Sequence, residues 1–291
     1  MRTEKQMTDL ILNIAKEDER IRAVYMNGSR TNPNARKDTY QDYDIVYVVT
    51  ETDSFITDKS WIMNFGNPLI VQEPDWNDNY AGNSGEIHDF SIRYVWLILF
   101  DDGNRIDLSI EIQQEAAENF LKDKLTVLLL DKDGMLPVIA KPSDEDYYIK
   151  KPTQNNYWAC CNNFWWCLNN VAKGIARDEL SYVMHMFHEV VRGDLHAMLN
   201  WYIGTQYGFA LSTGKAGKYF KKYLSDDLYQ QYCKTYSASD YRDIWAAVFT
   251  MCDLFHILAL SVAEHFGFSY RQTEENGIRK YLNRVKSDCI K

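Results

Sequence analysis

Apolar positions recur at helical spacing over residues 4–18, where Met7, Leu10, Ile11, Ile14 and Ala15 fall on one face and predict an amphipathic helix. The pattern then shortens to β-branched and aromatic runs, which predict strands at residues 21–27, 44–50, 69–72, 90–100, 105–111 and 126–130. Asp101-Asp102-Gly103-Asn104 supplies the turn of a hairpin between the fourth and fifth of these. Between the strands, residues 31–40 are polar around Pro33 and read as a loop, and 54–65 read as a helix closed by Gly66. Residues 73–86 read as a long acidic loop holding Asp75, Trp76, Asp78 and Tyr80, and 115–122 as a short helix.

After about residue 145 the strand patterns stop. Helical periods follow at 154–173, 178–207, 225–234, 239–266 and 275–287, with Ser237 read as the cap of a helix over 241–265. The expected fold class is α+β, with a boundary inside residues 142–152 dividing the chain into domains 1–145 and 146–291.

Composition narrows the class. With 46% hydrophobic and 25% charged residues over 291 positions, the chain has enough apolar material for real cores and reads as globular. A net charge of −9 argues against a nucleic-acid partner and suits a cationic small molecule. The N-terminus has no signal-peptide pattern, and the apolar runs at 94–100 and 257–263 fall short of the roughly 18 residues of a membrane span, so no membrane role is expected. Cys160, Cys161, Cys167, Cys233, Cys252 and Cys289 are scattered without a Cys-x-x-Cys pair, so free thiols in a reducing cytoplasm are expected.

The chemistry concentrates in Tyr25-Met26-Asn27-Gly28-Ser29-Arg30 and, a dozen residues on, Gln41-Asp42-Tyr43-Asp44-Ile45. Side chains alternate along a strand, so Asp42 and Asp44 share a face, and two carboxylates aimed at one point repel unless a cation separates them. Mg²⁺ takes such hard oxygen ligands together with substrate phosphates. Gly28 and Ser29 form a turn whose amides could approach a phosphate. A third carboxylate, Asp107, stands in the strand-like run Arg105-Ile106-Asp107-Leu108. It is read as part of a second metal site or as the base for an attacking hydroxyl, against the plainer reading that it answers Arg105.

A Gly-Ser turn followed at this distance by Asp-hydrophobic-Asp resembles the polymerase-beta-like nucleotidyltransferase superfamily. Within it, the chain resembles the aminoglycoside 6-adenylyltransferases. That closer resemblance rests on Gly28-Ser29-Arg30-Thr31-Asn32, Tyr40-Gln41-Asp42-Tyr43-Asp44-Ile45, Leu129-Leu130-Asp131-Lys132-Asp133, Lys173-Gly174-Ile175-Ala176-Arg177-Asp178-Glu179, and Gly214-Lys215 with Tyr219-Phe220-Lys221-Lys222-Tyr223-Leu224. It implies an N-terminal nucleotidyltransferase domain, a mixed sheet with flanking helices, and an all-helical substrate-binding C-terminal domain. The implied reaction moves AMP from Mg·ATP to a hydroxyl of an aminoglycoside, the 6-hydroxyl of streptomycin, releases pyrophosphate and confers resistance. Asp42, Asp44 and Asp107 become metal ligands and catalytic groups, with Asp107 expected mainly as base. Gly28, Ser29 and Arg30 become the nucleotide-phosphate site. Lys173 and Arg177 join it by resemblance alone, since cations at a helix C-terminus also suit its dipole. Asp75, Asp78, Glu86 and Glu189 are candidates for the drug's guanidinium groups.

Other motifs fail on spacing. The stretch from Gly208 to Lys215 is one residue too long for a Walker loop and has Ala216 where Ser or Thr should stand. His185, His188 and Glu189 lack the His-Glu-x-x-His order of a zinc helix. Lys215, Lys218, Lys221 and Lys222 form a basic cluster that suits a solvated face as well as a phosphate. Two rival functions share the fold: AMPylation of a protein hydroxyl, and nucleotide sensing without catalysis.

Overall fold

The computed structural model describes residues 1–81 and 86–289. The chain divides into two units, Met1–Asp146 and Tyr147–Lys291. In the first, the Thr3 hydroxyl accepts the Gln6 N–H while the Gln6 side chain answers the Thr3 N–H, a capping box that opens α1 (Glu4–Glu17). The strands are β1 (Ile21–Asn27), β2 (Tyr43–Val49), β3 (Pro68–Gln72), β4 (Arg93–Phe100), β5 (Arg105–Ile112) and β6 (Val127–Asp131). Among the described residues they form one mixed sheet in the order β3-β4-β5-β2-β1-β6. Every pairing is antiparallel except β2 with β5, which is parallel and sets Asp44 opposite Asp107.

One face of this sheet is apolar. Tyr43, Ile45, Tyr47, Trp96, Ile106 and Leu108 are buried there with Met7 and Ile11 of α1, and the Tyr47 hydroxyl donates to the Ile11 carbonyl at 2.6 Å. Phe55 of α2 (Asp53–Thr57) meets Trp61 edge-on at 4.8 Å. The opposite face is mixed. At one end Ala23, Tyr25, Val46 and Val48 pack under Ala116 and Phe120 of α4 (Gln113–Phe120), beyond α3 (Pro74–Ala81) in the chain. A buried carboxylate, Glu111, is satisfied there by the Tyr25 hydroxyl and the Asn119 amide, each donating at 2.7 Å. The row holding Asn27, Asp44 and Asp107 lies at the other end of that face.

Local departures from the expected elements have local causes. The helix expected over 54–65 is α2 and a separate 3-10 turn, Trp61–Phe65. Asp58 interrupts it by accepting both the Ser60 N–H at 3.0 Å and the Ser60 hydroxyl at 2.6 Å. The acidic loop expected over 73–86 begins as α3, with Pro74 at its first position and Asp75 in its first turn; residues 82–85 lie outside the described residues. β4 starts at Arg93 because Asp89 draws in Ser91, N–H at 2.9 Å and hydroxyl at 2.6 Å.

The second unit, among the described residues, is helical. Its elements are α5 (Gln154–Ala176), α6 (Leu180–His185), α7 (Arg192–Tyr207), α8 (Phe220–Tyr223), α9 (Asp226–Cys233), α10 (Tyr241–Phe266) and α11 (Gln272–Cys289). α10 is long and apolar enough by length and composition to cross a membrane, but Val248, Met251, Phe255, Leu258 and Val262 are fully buried in the unit's core. There Phe255 stacks on Phe164 with ring centroids 3.7 Å apart. Its cap is Asp240, which accepts the Arg242 N–H at 2.8 Å; Ser237 is not the cap, and its buried hydroxyl has no partner. The helix expected over 178–207 widens into a π turn, Met186–Val191, between α6 and α7.

Gly174 shows how tightly α5 meets α6. A Cβ there would sit 2.7 Å from Cγ2 of Val183, a fully buried side chain with nowhere to go. In an open helix Gly→Ala stabilises by about 1 kcal/mol. Here the overlap reverses the sign: Gly174→Ala should lower the denaturation midpoint, by about 1–3 kcal/mol of stability. An unchanged or raised midpoint in urea titration would contradict this close packing.

Candidate active site

The candidate site begins with the one parallel pairing among the described residues. Asp44 on β2 stands opposite Asp107 on β5, and Asn27 on β1 stands opposite Asp44, so the three side chains share one row and one face. Asp42, two residues before Asp44, projects to the same face. Burial, then the charges of Asp107 and Asp42, push the Asp44 carboxyl up to about 6. Burial and Asp107 also raise Asp42, against the pull of Arg105.

Gly28 is required twice over. Its φ of +77° lies in the left-handed region, and a Cβ would fall 2.1 Å from Oδ2 of Asp44. The missing side chain lets the turn close directly over that carboxylate. Ser29 follows; its carbonyl accepts the Gln41 side-chain N–H at 3.1 Å and its hydroxyl does so at 3.4 Å. The Oε1 of the same Gln41 amide is buried with no partner.

Arg30 is engaged with its own loop and the start of β2. Its guanidinium is buried, donates to the Asp42 carbonyl at 3.0 Å and the Gln41 carbonyl at 2.7 Å, and lies 3.7 Å over the Tyr43 ring. It staples the entry of β2 to the Gly-Ser turn. Thr31 donates to the carbonyls of Gly28 at 2.8 Å and Leu125 at 2.9 Å. Asn34 reaches the buried Asp144 at 2.9 Å. The Gly28–Asn32 motif is thus largely an anchoring device for the loop that sets Gly28 over Asp44.

The residue that sequence reasoning weighed only as Asp107's plain partner is Arg105. Its guanidinium grips Asp107 with two bonds, at 2.6 and 2.7 Å, and lies 3.6 Å from Oδ2 of Asp42. The signal for it was the i, i+2 spacing in a strand, which puts Arg105 on the carboxylate face. Among the described residues, no three His, Cys, Asp or Glu side chains are gathered closely enough to hold a metal ion.

The remaining sequence candidates do not join this row. Lys173 and Arg177 belong to the helical unit, where Lys173 lines a cavity of about 520 Å³ with Trp165, Trp166, Asn169, Glu274 and Tyr281. Arg177 caps α5, its N–H donating to the Lys173 and Gly174 carbonyls. Lys218, Lys221 and Lys222 lie over the rings of Tyr219, Tyr229 and Tyr223. His188 faces Arg192 at 3.2 Å, and Glu189 is exposed. On α3, Asp75 is buried and Asp78 meets the His88 ring at 3.1 Å. The Leu129–Asp133 motif is the end of β6 and the turn after it: Asp131 accepts the Leu136 N–H at 2.9 Å, and Asp133 pairs with Arg22 at 2.7 Å.

A mixed sheet whose Gly-Ser turn closes over the Asp-x-Asp end of the next strand, with a third strand aspartate beside it, defines a nucleotidyltransferase of the polymerase-beta-like kind. The chain belongs to the streptomycin adenylyltransferase family, whose model matches residues 1–285, and it is therefore an enzyme of the adenylyltransferase class. It is 38% identical to the aminoglycoside 6-adenylyltransferase of Bacillus subtilis (strain 168), over 98% of both chains. It is 37% identical to that of Campylobacter jejuni, over 98% of this chain and 96% of the relative. Against the Staphylococcus aureus enzyme of the same name the figures are 31%, 95% and 96%. A crystal structure of an aminoglycoside 6-adenyltransferase from Bacillus subtilis aligns over 98% of this chain and 99% of its own, at 32% identity and a TM-score of 0.48.

The raised Asp44 carboxyl has a thermodynamic consequence. A carboxyl whose folded pKa lies above its unfolded value binds more protons in the native state, so its stabilising contribution is present below about pH 4 and lost as pH rises through about 6. In chelator at pH 7.5, Asp44→Asn should therefore raise stability, by at most about 3 kcal/mol, with the gain vanishing near pH 4. Thermal melts at the two pH values test the sign; a variant less stable at pH 7.5 would mean that the carboxylate is not crowded.

Proposed function

We propose that the enzyme transfers AMP from Mg·ATP to a hydroxyl of an aminoglycoside, with the 6-hydroxyl of streptomycin as the acceptor suggested by its family, and so confers resistance. The single observation that carries the chemistry is the row Asn27, Asp44, Asp107 with Asp42 beside it, under a turn that has no side chain at Gly28. The substrate class is supported by the full-length similarity to relatives named for acting on aminoglycosides. The net charge of −9 is consistent with a cationic acceptor.

The donor chemistry is that of a hard dication, though the side chains are grouped around Arg105 and, among the described residues, do not converge as a ligand set. It comprises three carboxylates at one sheet end, one of them raised by burial and then by its neighbours' charge, and an orphaned amide oxygen on Gln41 next to the turn. Asp42 and Asp44, with Asp107, would hold Mg²⁺, which when bound neutralises phosphate charge. The chain's own part is to orient. The amides at Gly28 and Ser29 face the nucleotide's terminal phosphates, while the rigid sheet fixes the carboxylates against the acceptor hydroxyl. Asp107 takes the proton from that hydroxyl as its oxygen bonds to the α-phosphorus and pyrophosphate leaves. The helical unit supplies the drug-binding surface, with Lys173 and Arg177 available to phosphate and Glu189 to a guanidinium. Asp75, Asp78 and Glu86 are further candidates for the drug's cations. The six free cysteines are consistent with a reducing cytoplasm.

Incubation with ATP, Mg²⁺ and a panel of aminoglycosides, followed by mass spectrometry, should find AMP added to streptomycin. No added mass on any member would overturn the reading. Asp107→Asn separates its two roles. As base, its loss lowers the rate about 10²–10⁴-fold with nucleotide and drug binding unchanged and no rescue by added Mg²⁺. As ligand, its loss weakens metal binding and raised Mg²⁺ recovers part of the rate. The base role is the expected outcome, and near-normal turnover by Asp107→Ala would exclude both.

A further inference from the structure

Arg105 is the first residue of β5, so its side chain rises on the same face as Asp107 and beside Asp42. Its Nε donates to one oxygen of Asp107 at 2.6 Å and its Nη2 to the other at 2.7 Å, while Nη1 stands 3.6 Å from Asp42. Both Asp107 oxygens are thus committed to a single fork, the strongest geometry a carboxylate and a guanidinium can make. The carboxylates are grouped around this cation, and among the described residues no three of them converge as a ligand set. The guanidinium is itself only half-buried, with 42% of its side-chain surface exposed, and solvent access gives it room to leave. Arg30, on the same loop system, is by contrast 93% buried and locked onto two carbonyls, so the two arginines have different freedoms.

We propose that Arg105 is a resident counter-ion of the active-site carboxylates, holding Asp107 and Asp42 in the empty enzyme and exchanging with the divalent metal that arrives with the nucleotide. This rests on the carboxylates being the metal site. One guanidinium cancels part of the repulsion among Asp42, Asp44 and Asp107 at the cost of competing with the metal for the same oxygens. Exchange makes the bare ion a poor ligand and delays assembly of the site until a metal–nucleotide brings both charges. It also releases Asp107 from the two-bond fork, so that an oxygen not taken by the metal can accept a proton.

The test is Mn²⁺ binding, by electron paramagnetic resonance, to nucleotide-free full-length protein. Arg105→Gln should bind Mn²⁺ about three- to tenfold more tightly than the unsubstituted enzyme, the range expected for losing one partly exposed ion-pair competitor. In chelator the variant should melt lower than the parent, and Mn²⁺ should raise its melting temperature by more than it raises the parent's. A merely structural arginine would lower both melts equally and leave the Mn²⁺ affinity unchanged, which overturns the proposal, as does weaker binding. Arg105→Lys, which keeps the charge without the fork, should fall between; if Arg105→Gln fails to fold, Arg105→Lys binding no tighter than the parent overturns it. Asp44→Asn is the control for the site: Mn²⁺ affinity unaltered by that change would remove the carboxylate site itself, and the exchange with it.

Discussion

Three carboxylates at one end of a sheet repel one another, and the first unit is built around living with that repulsion. It arises from one register, the parallel pairing that puts Asp44 opposite Asp107. Everything within reach answers it. Arg105 lays a cation against Asp107 and Asp42, Gly28 surrenders its side chain so that the turn can close on Asp44, and Arg30 pins the strand entry through backbone carbonyls while its charge eases Asp42 and Asp44 from a distance. A site that buries a carboxylate beside like charges stores free energy, and the Asp44 carboxyl, raised first by burial and then by Asp107 and Asp42, is where that cost is visible.

The same sheet can carry the strain because its other face is rigid. Tyr47 and Phe65 each meet Trp61 edge-on and Trp96 packs against it at a tilt, behind the carboxylate strands, and α1 is bolted to this layer by the Tyr47–Ile11 hydrogen bond. Large aromatic side chains in a close-packed layer resist the small shifts that repulsion would otherwise drive. On the carboxylate face, polar groups are matched one by one. Glu111 is fully buried, yet both its oxygens are satisfied, and this pins α4 to the sheet end remote from Asp44. Position along β5 therefore decides the fate of an acid: Asp107 is left for chemistry and Glu111 is consumed by structure.

The helical unit follows a different economy. Its core is a stack of aromatics and thiols, with Cys160, Cys161 and Cys252 buried and their thiols pushed up to about 12 or beyond by burial, so they act as small apolar fillers. Several of the polar groups inside it are bound to one another, while Arg192 Nε, the Ser237 hydroxyl and Trp245 Nε1 are left without a partner. Glu275 accepts from Tyr270 and Arg279 and meets the His256 ring, and Arg192 spans His188 and Thr235 at the π turn. The Lys173–Glu179 motif resolves into helix-end packing around Gly174, with Lys173 lining one cavity and Ile175, Ala176 and Asp178 another.

What the sequence determined by itself was local and periodic. β1 over residues 21–27, the alternation that places Asp42 and Asp44 on one face, the hairpin at Gly103, and the change from strand to helix near residue 145 all rest on neighbours a few positions apart. Short-range competition from polar side chains blurred the rest. Asp58 broke a helix, Pro74 started one, and Asp240, not Ser237, took the cap of α10. Only the tertiary structure decided that Asp107 stands beside Asp44, because parallel strands are joined by long crossovers and their register leaves no local signature. It also decided which arginine is which: Arg30 and Arg105 are equally basic in the sequence, but one is buried and spent on backbone carbonyls, and the other is left facing the acids.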